Sequence, residues 1–308
     1  MVTTDAPSVP PPRPSGARHD GPDPDPGQDA ARRPRRIVAS PAAWLVWGVV
    51  VFFFANLAAL VGSVVVNSFA RRWFDTWLPD GWTTGWYSDA WDAFDLFHVI
   101  GVTLQVSGLV VGISLLVGVP ASFVLARRSF PGKPLVFFAF LLPIMMPPIT
   151  YGIPLATVLY KYELAGTMTG VVLANLVPSV PFVILTMTPF VEQVDPRIED
   201  AARMCGAGML ATFTRILAPL LVPGILAAGI LVLVRTVAMF ELTFLTAGPD
   251  SQTLVVALYY SMSAAGIRAQ QSVDAMAVIY TSMMLVLLVV ALRFVNPTQL
   301  VARVKEDS

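Results

Sequence analysis

Long apolar stretches alternate with short polar segments along this chain. Ile37 to Ala70 contains no Asp, Glu, Lys or Arg, and about Ala42 to Val66 within it is one bilayer crossing long. Leu96 to Ala126, Pro134 to Tyr160 and Leu164 to Val191 are likewise free of those four residues. A fifth stretch runs from near Leu217 to about Phe244, and a sixth from roughly Ala275 to Phe294. About 20 apolar residues cross a hydrocarbon core as a helix. The pattern therefore predicts an all-α membrane protein with six spans. The fifth would reach about 42 Å as a straight helix, so it either tilts or breaks near Pro219 and Pro223.

Lysine and arginine set the orientation. One side carries Arg32, Arg33, Arg35, Arg36, then Arg127, Arg128 and Lys133, then Arg197, Arg203 and Arg215, and finally Arg293, Arg303 and Lys305. The other side carries Arg71, Arg72, Lys161 and Arg268. Both termini are expected in the cytoplasm, as an even number of spans requires.

Composition agrees. The chain is 56% apolar and 13% charged, against about 25% charge in soluble domains. A formal net charge of zero gives no global field for nucleic acid. The single cysteine, Cys205, excludes an internal disulfide framework. His19 and His98 are too separated to suggest a metal cluster, and neither metal nor cofactor is expected. Residues 1–40 hold nine prolines and little apolar material. They read as a disordered cytoplasmic tail rather than a signal peptide, with a proline-rich docking peptide as the alternative. The six-span body is 41–296, and 297–308 form a second cytoplasmic tail.

Two outer segments are large. Residues 71–97 hold five of the seven tryptophans: Trp73, Trp77, Trp82, Trp86 and Trp91. They read either as an interfacial belt or as a surface that also meets a partner. Residues 246–273 contain the turn GPDS and the run TLVVALYYSM, which is shorter than a span and suits a re-entrant or interfacial helix.

The cytoplasmic loop 192–216 reads EQVDPRIEDAARMCGAGMLATFTRI. Asp195-Pro196 signals a helix start, and the acidic residues that follow suit the first turn. Gly206 then turns the chain without a Cβ clash. A second short helix, Met209 to Ile216, leads into Pro219 at the entry to the fifth span. An ordinary amphipathic connector would also look like this.

The spacing nevertheless resembles permease subunits of binding-protein-dependent ATP-binding-cassette (ABC) importers. Their loop follows the pattern E-A-A, three residues, G, nine residues, I, one residue, L-P. Here Asp200, Ala201, Ala202, Gly206, Ile216 and Pro219 stand at matching separations. Asp200 replaces the usual Glu and Ala218 the usual Leu, while Glu199 keeps acidity at the helix start. The resemblance covers about Ala43 to Asn296. It extends to GVPASFVLARRSFPGK, LLPIMMPPITYGIPL, VPSVPFVIL and ELTFLTAGPDSQTLVVALYYSM, whose wording is nearest to polyamine and iron(III) importers. Sugar and glycerol-phosphate permeases look more distant.

The resemblance implies the type I importer permease architecture in a bacterial-type cell membrane. It implies two copies of a separate ABC ATPase, an extracytoplasmic solute-binding protein and a second, different permease chain. It makes the loop a coupling helix. The solute would be a small polar molecule or ion such as a polyamine or iron(III). No G-x-x-x-x-G-K-[ST], G-x-S-x-G or H-E-x-x-H occurs, so the chain is expected not to be an enzyme and ATP must be bound elsewhere.

Candidate path residues come from two signals. Pro147, Pro148 and Pro181, with Pro143, Pro154 and Pro178, remove backbone donors inside spans three and four. The freed carbonyls either line a cavity or simply kink the helices for packing. Arg235 and Glu241 lie inside span five, and such residues usually face a bundle interior or water. Six positions apart, they do not share a helix face. A secondary transporter would show more intramembrane charge and visible repeats. A membrane enzyme would need converging polar residues that the spans do not supply.

The topology has a direct check. A reporter fused after Ser308 should signal cytoplasm, and one inserted near Asp250 should signal the outside. Reversal of either result would remove the charge-bias argument.

Overall fold

The structure is a computed structural model describing residues 41–73, 76–263 and 269–293. The expected tails 1–40 and 297–308, with Arg268, Arg303 and Lys305, lie outside the described residues. The chain divides into two units between Leu57 and Ala58. The boundary falls within α1 (Pro41–Phe69), an apolar helix. Residues from Ala58 onward form the second unit.

Beyond α1 come α2 (Gly85–Phe94), α3 (Leu96–Arg127), α4 (Lys133–Met145), α5 (Pro148–Lys161) and α6 (Met168–Glu192). Then follow α7 (Arg197–Met204), α8 (Met209–Thr212), a π-helical turn (Phe213–Leu217), α9 (Ala218–Val237), α10 (Glu241–Thr246), α11 (Leu254–Ser263) and α12 (Gln270–Arg293). Among the described residues, five helical segments are long and apolar enough to cross a membrane, or six if α4 and α5 form one bent span.

The core is built on α3 and α6, which pair most extensively, with α9 against both. Val106, Val110 and Phe123 of α3 meet Val171, Val183, Met187 and Val191 of α6, and Leu221 and Val232 of α9 complete the cluster. Close approach depends on Gly118, where a Cβ would stand 2.6 Å from Val183 Cγ1. Small residues of this kind let helix backbones meet in lipid, where no hydrophobic drive presses them together.

The structure shows where the apolar runs bend and end. The third span is not one helix: α4 and α5 are bent by 98°. Pro147 and Pro148 cause the break, because a proline drives the residue before it out of the α region. Met146 (φ −82°, ψ 141°) and Pro147 (φ −56°, ψ 133°) are both extended. The fourth span is not broken at all. Pro178 and Pro181 lie inside a continuous α6, and both are buried. One missing bond at a time is absorbed where neighbouring helices enclose the backbone.

The fifth span ends at Val237 rather than Phe244. Glu241 is therefore not inside it but opens the separate short helix α10. Nor does the chain break at Pro219 or Pro223. The π turn runs directly into α9, and Ala218 N–H donates to Phe213 O, five residues back. The extra residue is taken up just before Pro219, which has no N–H to give.

The ends of other elements are tied by side chains. Trp86 Nε1 donates to Ala70 O at 2.8 Å, Ala70 and Trp82 form an isolated antiparallel bridge, and Asn67 Nδ2 donates to Asp274 of α12. The run TLVVALYYSM forms α11, ten residues long, whose first N–H is capped by Thr103 Oγ1 at 2.9 Å.

Candidate functional site

The loop between α6 and α9 is assembled from local backbone rules. Asp195 Oδ1 accepts from Arg197 N at 2.9 Å and starts α7. Glu199 and Asp200 occupy its first turn, where negative charge favours the helix dipole. The helix closes in a Schellman motif: Gly206 N–H donates to Arg203 O at 2.9 Å and Ala207 N–H to Ala202 O at 3.0 Å. That closure needs Gly206 at φ +82°. The space around it is open, so backbone conformation, and not the expected Cβ clash, is what demands glycine. The second helix begins at Met209 as the spacing predicts, with Thr212 N–H donating to Gly208 O at 2.9 Å.

The motif residues divide between two faces. Glu199 and Ala202 are buried, while Asp200, Ala201 and Gly206 are exposed. Ile216 is half-buried and Pro219 exposed. On the exposed surface of the loop, Met204 (84% exposed), Leu210 (76%) and Met209 (62%) stand among the exposed charges of Asp195, Arg197, Asp200, Arg203 and Arg215.

Beneath the loop stands an ion pair that sequence reasoning missed. Arg127, the last residue of α3, donates from Nε to Glu199 Oε1 at 2.7 Å. Its Nη2 donates to Val194 O. Both side chains are nearly covered, at 13% and 8% exposure. Removing one partner of a buried pair costs about 3–5 kcal/mol, because the other charge is left uncompensated. Arg203 adds only longer contacts, 3.9 Å to Glu199 and 3.6 Å to Asp200, from an exposed position. A cleft of about 380 Å³ opens here between Phe123, Arg127 and Arg128 on one side and Glu199, Asp200 and Met209 on the other.

The candidate path residues gather only in part. The Arg235 guanidinium lies 5.4 Å over the Phe182 ring of α6. Tyr151 of α5 packs against the cluster of Leu159, Ala174, Met239 and Leu242, which places it beside the α9–α10 junction that carries Arg235 and Glu241. The Tyr151 hydroxyl is buried without a hydrogen-bond partner among the described residues. The described ion pairs include neither Arg235 nor Glu241, which stand on separate helices rather than on two faces of one. Pro147 and Pro148 sit at the α4–α5 break, whereas Pro181 is buried within α6. Beside Glu241, Phe240 and Phe244 form a ring cluster with Tyr259 and Tyr260 at 4.9–5.9 Å.

Among the described residues, no group of acidic, histidine or cysteine side chains is placed to hold a metal.

Comparison with known proteins fits this arrangement. Residues 118–297 match the family described as the binding-protein-dependent transport system inner membrane component. The chain is 31% identical over 179 residues to the molybdenum transport system permease protein ModB of Escherichia coli K12, covering 53% of this chain and 78% of that one. It is 27% identical over 209 residues to the diacetylchitobiose uptake system permease protein NgcG of Streptomyces coelicolor, covering 65% and 66%. In fold it resembles a bacterial ABC transporter involved in the import of the acidic polysaccharide alginate. That likeness has a TM-score of 0.67 at 15% identity, over 84% of this chain and 98% of the other. These relatives correct the expected nearness to polyamine and iron(III) importers.

The Schellman closure yields a measurable consequence. Replacing Gly206 with Leu places a Cβ in the left-handed region, at about 1–2 kcal/mol. Exchange of the Gly206 and Ala207 amides should then quicken by about 5–30-fold. Gly208→Ala, at φ −70° with open space around it, should leave both amides protected. Unchanged protection in Gly206→Leu would contradict the motif.

Proposed function

The chain belongs to the inner membrane components of binding-protein-dependent transport systems, and we propose that it is the permease subunit of an ABC importer whose loop 192–216 receives a separate ATPase subunit. The observation that carries the reading is the loop. It is a short, sharply terminated helix with its motif at family spacing, an outer face on which Met204, Met209 and Leu210 are exposed beside Asp200 and Arg203, and a direct run into α9. A rigid helix of this kind moves with the cleft that holds it. Closure of two ATPase copies would then swing the attached spans and alternate access, a rigid-body transition. Both termini and the loop lie in the cytoplasm on this reading. An extracytoplasmic binding protein delivers solute to the opposite face, in part to residues 246–273, and a second, different permease completes the pore.

Tyr151, Arg235 and Glu241 are proposed to border the path, next to the α4–α5 break. Two donors without hydrogen-bond or ion-pair partners among the described residues, and a nearby carboxylate, suit a small solute rich in acceptor oxygens. That chemistry is shared by a tetrahedral oxyanion and a sugar, and the molybdenum and diacetylchitobiose relatives support it. Polyamine is disfavoured by the same arginine, since a cationic solute would meet like charge.

Two measurements test the reading. The affinity-tagged chain should retrieve an ATPase bearing a Walker motif, and its absence from the purified assembly would overturn the assignment. In a Cys205→Ala background, cysteines replacing Tyr151, Arg235 or Glu241 should react with a water-soluble thiol reagent at rates that change when ATP is added. Silence at all three positions in every nucleotide state would remove them from the path.

A further inference from the structure

We propose that Arg127 is a strut that makes the end of α3 and the loop helix α7 move as one body, so that force on the loop reaches α3 as directly as it reaches α9. The motif by itself draws attention to the covalent run from loop to α9. The structure adds a second connection from a different helix.

Three observations carry it. The guanidinium holds two acceptors on opposite sides of the Asp195-Pro196 turn: Glu199 Oε1 within α7 and Val194 O before it. It therefore fixes both the position and the tilt of α7, which a single contact would not. Arginine suits this role because its rigid fork presents several donors in one plane, whereas lysine offers a point charge on a flexible stem. Next, the pair is nearly covered, so separating it would strand a charge, and the two groups have little freedom to slide. Finally, Phe123 lies one turn earlier on the same face of α3. Its ring meets Phe213 of the π turn edge-on, with centroids 5.6 Å apart. The end of α3 thus grips both limbs of the loop, one through Arg127 and one through Phe123.

The two acidic residues then have separate tasks. Glu199 faces inward as the strut's anchor. Asp200 stays exposed, 3.6 Å from the equally exposed Arg203, on the side open to whatever docks on the loop. Arg127 is a positioning residue: it touches neither solute nor nucleotide.

The proposal rests on the reading of the loop as the ATPase contact, and the test separates the two. The chain is purified with its ATPase in a Cys205→Ala background. Nitroxide labels are placed at Gly208→Cys on the loop and Leu116→Cys on the exposed side of α3. The distance between labels is measured before and after trapping with ATP and vanadate. The strut predicts one narrow distance, the same in both states. In Arg127→Gln the distance should shift or broaden on trapping, with the ATPase still bound. A role in stability alone would lower yield or assembly without making the distance depend on nucleotide. Should the Gln variant fail to assemble, Arg127→Lys keeps the charge and loses the fork, and the same broadening is expected. A native distance that changes on trapping would overturn the strut. So would a narrow, nucleotide-independent distance in Arg127→Gln or, where that variant does not assemble, in Arg127→Lys. Failure of the native chain to retain any ATPase would instead overturn the reading of the loop.

Discussion

Lipid supplies no hydrogen bonds, so each backbone N–H and C=O at membrane depth must find its partner within the protein. Helix is the default answer, and the rest of the architecture follows from where that answer is interrupted. Prolines inside α3, α4, α5, α6 and α9 each delete one donor without ending a helix. Among these prolines, the adjacent Pro147 and Pro148 are where a helix ends, because two donors are lost together and two successive residues, Met146 and Pro147, are pushed into extended geometry. The same economy explains the π turn before Pro219. One extra residue is absorbed by a longer hydrogen-bonded ring, and the helix carries on.

The sequence makes the element types legible because apolar length is a strong signal. It makes the motif legible because spacing survives substitution: Asp200 for Glu and Ala218 for Leu change chemistry without moving a position. What it leaves hidden is tertiary. Charge-free runs do not show where a helix bends, so α4 and α5 read as one span and Glu241 reads as part of another. Arg127 counts there as one more positive loop residue, since its partner is 72 positions away. Its one visible signal is that it sits at the end of an apolar run beside Arg128, where either could turn inward. Asp274 escapes for a similar reason, lying one residue outside the apolar stretch as the composition draws it.

Solute identity shows the limit of wording as a guide. Local phrases such as LLPIMMPPITYGIPL arise from the backbone constraint just described, and that constraint is common to permeases whatever they carry. The groups that would discriminate are few: Arg235 over Phe182, the buried Tyr151 hydroxyl, and Glu241 beside four aromatic rings. They lie on α5, α6, α9, α10 and α11, so only folding brings them near one another.

On this account the loop is a two-faced device. One face is locked to α3 by Arg127 and Phe123, and the other is left open, with Met204, Met209 and Leu210 exposed among charged side chains. The central claim is that the open face is the contact for an ATPase. Photo-crosslinking from single positions tests it most directly. A photoreactive side chain at Met204, 84% exposed, should capture the ATPase subunit in membranes, and one at Ala202, 7% exposed, should not. Capture from neither position, or equal capture from both, would contradict the account.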